Sequence, residues 1–110
     1  MAQPLTEAVF YILAVLTEPR HGYGIMRRVE ALTGGRVTLA AGTLYGALGA
    51  LVERGWLTVR EGANKKRYEL TFTGRAALED EVARLAELVA HGRAAVDAMR
   101  VSTGTEADHG

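Results

Sequence analysis

Cysteine is absent from the 110 residues, which excludes disulfides, thiolate metal sites and cysteine nucleophiles. Serine occurs once, as Ser102 in a polar stretch, so a serine-nucleophile enzyme is not expected. No apolar run exceeds the nine residues of Ala8–Leu16, too few to span a membrane. No Lys or Arg precedes Arg20, so no secretory leader is expected and the chain reads as soluble and cytoplasmic. Net charge is also missing, but only in the sum. Residues 1–75 hold ten Lys/Arg against six Asp/Glu, a balance of +4, and residues 76–110 hold three against seven, a balance of −4. The first part is therefore suited to a polyanion and the last part to other work. What remains is ordinary globular composition, 48% hydrophobic and 24% charged, enough for one modest core.

Leu5, Val9, Ile12 and Leu16 recur at helical spacing, which predicts a helix over Leu5–Thr17 started by Thr6 or Pro4. Phe10, Tyr11, Leu13 and Val15 fill its other faces. A helix apolar all round must be buried on more than one side, and in so small a domain a second subunit is expected to cover part of it. Glu18–Gly22 reads as a turn, and a second helix follows over Tyr23–Leu32. Ile25, Met26, Val29 and Leu32 form its inner stripe; Arg27, Arg28 and Glu30 face outward. Gly34 and Gly35 end it, and Arg36–Leu39 reads as one short strand. A third helix is expected over Gly42–Arg54, with Leu44, Leu48, Leu51 and Val52 inside and Gly55 as its stop. Trp56–Arg60 and Arg67–Thr71 alternate in polarity as two strands of a hairpin with a long basic tip.

The last helix is expected over about Thr73–Met99, capped by Thr71 or Thr73. Leu78, Val82, Leu85, Val89, Gly92, Val96 and Met99 step by four and three residues, a heptad seam. Either the helix packs within its own domain or the seam joins two subunits. The seam outruns a small core, so a subunit interface of Val9, Ile12, Leu78, Val82, Leu85, Val89, Gly92 and Val96 is expected. Val101–Gly110 reads as a disordered tail.

Helix, helix, short strand, helix and hairpin is the order of a winged helix-turn-helix. The fold class is thus mainly α with a small β-hairpin wing. Residues 1–72 would form the winged helix-turn-helix, 73–100 a C-terminal dimerisation helix and 101–110 the tail. His21-Gly22-Tyr23-Gly24, Gly34-Gly35-Arg36-Val37, Gly42-Thr43-Leu44-Tyr45-Gly46-Ala47-Leu48, Gly55-Trp56-Leu57, Lys66-Arg67-Tyr68 and Leu70-Thr71-Phe72-Thr73-Gly74 together resemble the PadR family of transcriptional regulators. The resemblance covers residues 5–100. It implies a homodimeric repressor that binds double-stranded DNA at a pseudo-palindromic operator, released by a small hydrophobic effector, without a cofactor. It also implies DNA contacts from Tyr23, Thr43 and Tyr45, with Lys65, Lys66 and Arg67 on the wing.

The residue chemistry is compatible with those roles. A tyrosine hydroxyl can donate to phosphate, and a helix N-terminus offers free N–H groups where Gly42 and Thr43 stand. Gly46 lets the third helix approach a groove floor closely. Tyr23 and Tyr45 could instead be core aromatics with one wet edge, and Lys65–Arg67 a solvated turn. The sequence departs from the family pattern at Ala40-Ala41, where Ser-Pro commonly precedes Gly-Thr-Leu-Tyr, so the usual capping hydroxyl is missing. Trp56 is expected in the core and Glu79-Asp80-Glu81 on a solvated face. Glu87 and His91 form at most half a metal site, and a solvated pair is the favoured reading. The alternative function is a winged helix that binds another protein rather than DNA. An enzyme is a distant third, because nucleophile, metal cluster and phosphate loop are all missing.

Overall fold

The computed structural model describes residues 4–109, with side chains as far as Ser102. Helix α1 spans Glu7–Ala14 and tightens into a 3-10 turn over Val15–Thr17. Thr6 caps it, its hydroxyl accepting from the Val9 N–H at 3.1 Å. Strand β1 is Arg20–His21, helix α2 Gly22–Leu32 and helix α3 Ala41–Glu53. Strands β2 (Leu57–Glu61) and β3 (Lys66–Leu70) follow, then helix α4, Phe72–His109. The chain is mainly helical with a small antiparallel sheet in the order β1-β3-β2. The β2–β3 register pairs Leu57 with Leu70, Val59 with Tyr68 and Glu61 with Lys66.

Glycine stops both middle helices as the sequence predicts. Gly34 and Gly55 take φ of 61° and 80°, the left-handed conformation that favours glycine. At α2 the Gly35 N–H reaches Glu30 O at 2.8 Å; at α3 the Trp56 N–H reaches Leu51 O at 3.0 Å. Each is the six-to-one bond that closes a helix end.

The third strand lies elsewhere than expected. Residues 36–39 are not a strand, because Thr33 uses up the local backbone groups. Its hydroxyl accepts from the Val37 N–H at 3.1 Å, and its carbonyl accepts from the Arg36 N–H at 3.1 Å. Arg20 and His21, read from sequence as part of a turn, instead pair with Tyr68 and Arg67 on the free edge of β3. Pro19 and Gly22 bracket the strand closely enough to hide it.

The core is one cluster of Ile12, Leu13, Val15, Leu16, Ile25, Val29, Leu39, Leu44, Leu48, Leu51, Leu57 and Tyr68. Two sequence expectations are corrected. Leu32 is exposed at the end of α2 rather than on its inner stripe. Ile12, expected at a subunit interface, has 0% exposure within the single chain and no surface left for a partner. An apolar helix without a polar face carries no phase, so periodicity does not say which side faces its own core.

Helix α4 starts on the core and then leaves it. Thr71 caps it, its hydroxyl accepting from the Gly74 N–H at 3.0 Å. From Ala86 to Ser102 every residue is exposed, and the molecule is 72 Å along its longest axis. The helix runs on across the stretch from Val101, which holds no proline to interrupt its hydrogen bonds. Layered on the core, a helix-turn-helix and a three-stranded sheet ending in a hairpin define the winged-helix fold.

Glu81, expected on a solvated face, is only 2% exposed. Arg84 grips its carboxylate as a fork, Nε to Oε1 at 2.7 Å and Nη2 to Oε2 at 2.8 Å, and the Leu5 N–H donates to Oε2 at 3.1 Å. The Leu5 bond fastens α4 to the residues ahead of α1, and the Arg84 fork, within α4, holds the carboxylate in place for it. The Arg84 hydrogen bond is the main cause that lowers the carboxyl to about 2, outweighing burial. A carboxylate held low in the folded state stabilises it above its unfolded pKa, and that stability is lost as the pH falls through the folded value. Wild-type stability should therefore drop between about pH 4.5 and about pH 2 more steeply than that of Glu81→Gln. Denaturant midpoints across that window check this; parallel curves would contradict it.

Candidate nucleic-acid interface

Residues far apart in sequence meet beside the hairpin. His21, Gly22 and Tyr23 at the start of α2, Tyr45 on α3, and Asn64, Lys65, Lys66 and Tyr68 of the hairpin line a groove of about 400 Å³. Pairing of β1 with β3 sets the start of α2 against the wing. Leu44, Leu48 and Leu51 anchor α3 in the core, which turns the helix's other side outward.

Gly22 is what allows Tyr45 to lie there. A Cβ on Gly22 would overlap the Tyr45 hydroxyl and sit 2.7 Å from the ring carbon Cε1. Tyr68 forms the groove floor, and burial raises its hydroxyl pKa, with a smaller contribution from Tyr45. His21 Nδ1 lies 3.1 Å from the Lys66 carbonyl oxygen, a second link between wing and helix.

The expected contact residues do not all share this face. Tyr23, Tyr45, Lys65 and Lys66 line the groove, and Tyr23 and Tyr45 are 61% and 49% exposed, not core aromatics. Gly42, Thr43 and Gly46 are exposed on the outer side of α3. The capping position of α3, Ala40, supplies no side-chain hydrogen bond to the first turn, as the Ala40-Ala41 sequence implies. Arg67 departs from the expected group. Strand alternation puts it on the opposite face of β3 from Lys66 and Tyr68, bordering a hollow with His21, Gly62, Ala63, Asn64 and Lys65. Sequence reading missed His21, Gly22 and Asn64, whose place depends on the β1–β3 pairing. It also passed over Arg27, which donates to the Tyr23 hydroxyl at 3.1 Å. That bond raises the Arg27 pKa.

On α4, Val82, Val89, Gly92 and Val96 are exposed, while Leu78 and Leu85 are half-buried, as is Val9 on α1. Trp56 is half-buried against the core, with the Arg54 guanidinium 3.9 Å from its ring centroid. Among the described residues, no three His, Asp or Glu side chains come together as a metal site.

A basic wing beside an exposed, core-anchored helix is the outline of a winged-helix regulator. Comparisons with known proteins agree with that class. The family model of the transcriptional regulator PadR-like family matches residues 12–80. The transcriptional regulator YqjI of Escherichia coli is 37% identical over 71 residues, covering 63% of this chain. The match spans about a third, 34%, of that regulator's own length. RosR of H. salinarum is 30% identical with a TM-score of 0.62, over 86% of this chain and 99% of that one. Bacillus subtilis PadR, solved in complex with operator DNA, is 27% identical with a TM-score of 0.63, over 72% of this chain and 48% of that one. The chain belongs to the PadR-like family of transcriptional regulators.

Gly22→Ala tests how the groove is built. The new methyl meets the end of a side chain that can swing toward solvent, so stability should change by no more than about 1 kcal/mol. The Tyr45 ring resonances should shift in NMR spectra; an unmoved ring would contradict the packing described.

Proposed function

We propose that this chain binds double-stranded DNA as a homodimer and represses transcription, with α3 in the major groove and the wing against the backbone beside it. The observation that carries the reading is the convergence of Lys65, Lys66, Tyr23 and Tyr45 on one groove flanking the exposed side of α3. The lysines supply charge for phosphate, and the tyrosines supply neutral donors that hold register without reading bases. The exposed residues of α3 are Ala41, Gly42, Thr43, Tyr45, Gly46, Gly49, Ala50 and, at its far end, Glu53, without Arg, Lys, Asn or Gln. Those are the side chains that make bidentate contacts to G or A, each worth ~1–3 kcal/mol of discrimination. Site choice then rests on thymine-methyl contacts, half-site spacing and duplex shape. Wing charges that proved dispensable for function would favour the alternative, a protein-binding module.

Replacing Lys65 and Lys66 with Ala should weaken binding to every duplex by a similar factor. Four lost phosphate contacts per dimer should flatten the log–log salt dependence by roughly 3 to 4 units. Titrations of a promoter fragment at several salt concentrations check this, and an unchanged slope would remove the wing from the interface.

The dimer is assigned to the seam of α4, where Val82, Val89, Val96 and Met99 are exposed along a helix that leaves its own core. Val89→Asp would put an unpaired charge into that seam at a cost of roughly 3–5 kcal/mol. Sedimentation should then report a folded monomer; an intact dimer would move the interface elsewhere. A hollow of about 420 Å³ between α1 and α4, lined by Leu5, Phe10, Tyr11 and Leu85 with Glu7, Glu81 and Arg84, adjoins the seam. It supports release by a small hydrophobic effector, since α1 brings the aromatic rings that the seam lacks.

A further inference from the structure

We propose that Tyr23 and Arg27 act as one unit that grips a backbone phosphate of the duplex, which makes Arg27 a DNA contact in its own right. The inference rests on the DNA-binding reading above and names a residue and a role within it. Tyr23 and Arg27 stand one turn apart on α2, and helical side chains slant toward the N-terminus, so Arg27 reaches back over Tyr23. Arg27 Nη1 donates to the Tyr23 hydroxyl at 3.1 Å, and its Cζ lies 5.7 Å from the ring centroid. With the phenol oxygen accepting from Arg27, its own proton is free to donate outward. The remaining guanidinium N–H groups are donors too, and an ionised phosphate, which only accepts, suits such a pair.

Arg27 shares with arginines such as Arg28 and Arg67 the lack of an ion pair among the described residues, and its hydrogen bond to Tyr23 is what sets it apart. Among the described residues, the arginines with a side-chain ion pair are Arg20 with Glu18, Arg36 with Glu7, Arg60 with Glu69, and Arg84 with Glu81. Arg27 makes no such pair: the neutral Tyr23 hydroxyl orients it, and the attraction of nearby Glu30 is the weakest influence on it. Its place fits as well. Tyr23 lines the groove shared with Lys65 and Lys66, while Arg27 borders a broader hollow with Arg20, Arg28 and Glu30. Through the hydrogen bond the pair links the groove to this hollow and carries positive charge onto α2 beside the wing. Both side chains are exposed, so replacing them leaves the core intact.

The test is a double-mutant cycle of Arg27→Gln and Tyr23→Phe, read as duplex affinity across a salt series, with circular dichroism confirming the fold. One phosphate lost per protomer should flatten the dimer's salt slope by about 2 units for Arg27→Gln, with an affinity loss of about tenfold at low salt. Tyr23→Phe should weaken binding without changing the slope. Its effect should be at least about threefold smaller when Arg27 is already Gln, because the two act together. Arg27→Lys should restore the slope but only part of the affinity, since a point charge lacks the fork. A wild-type slope for Arg27→Gln, or strictly additive effects, would overturn the clamp, and salt-sensitive binding by the wild type would then leave the DNA reading standing. Absence of salt-sensitive binding in the wild type would overturn both.

Discussion

A single knot of hydrogen bonds between Gly55 and Gly74 joins the third helix, the wing and the last helix. The Thr71 N–H donates to the Trp56 carbonyl at 3.0 Å, and its hydroxyl donates to the Gly55 carbonyl at 2.6 Å. The same hydroxyl oxygen accepts from the Gly74 N–H at 3.0 Å. One residue therefore ties the end of α3, the start of β2, the end of β3 and the first turn of α4. Gly74 sits against the Trp56 carbonyl so closely that a Cβ would collide with it. The constraint is backbone against backbone, with no flexible side chain to give way. The first turn of α4 is thereby held directly against the end of α3 and the base of the wing. In a dimer built on α4, the spacing of the two recognition faces would follow from the same knot.

The Leu5 N–H bond to the buried Glu81 carboxylate, which Arg84 braces from the same helix, holds α4 to the residues ahead of α1. Between them, the two fastenings fix the base of a helix that is otherwise free of its own domain beyond Leu85. Glu81 and Arg84 also line the hollow with Phe10 and Tyr11, so a molecule wedged there would press on the helix at its fixed end. In the proposed dimer, a molecule held there would act on the base of the helix that carries the seam.

Much of this was legible where the determinants are local. Gly34-Gly35 and Gly55 announce helix ends, the alternation of Leu57–Arg60 and Tyr68–Thr71 announces a hairpin, and Thr71 announces a cap. The motifs around Tyr23 and Tyr45 announced the family. Non-local contacts were illegible for stated reasons. Strand β1 is two residues long and exists through its pairing with β3. Glu81 lies in an acidic run, and only the Leu5 N–H and the Arg84 fork reveal it as buried. Ile12 could not be told from Val9 on a helix with no polar side. Two signals were present but unused: the period of two that turns Arg67 away from Lys66, and the four-residue spacing of Tyr23 and Arg27.

The central claim is that a smooth, charge-poor recognition helix is held at a fixed spacing by a dimer and pinned to phosphate by the wing and α2. Selection of duplexes from a random pool by the intact protein tests it most directly. The account predicts recovered sequences with two half-sites at one constant separation near a helical turn or its multiple, and with thymine-rich, weakly conserved bases. Recovered sequences dominated by an invariant G·C pair, with variable spacing, would contradict it, because the exposed residues of α3 include no Arg or Lys to make the bidentate contact to guanine that such a pair calls for.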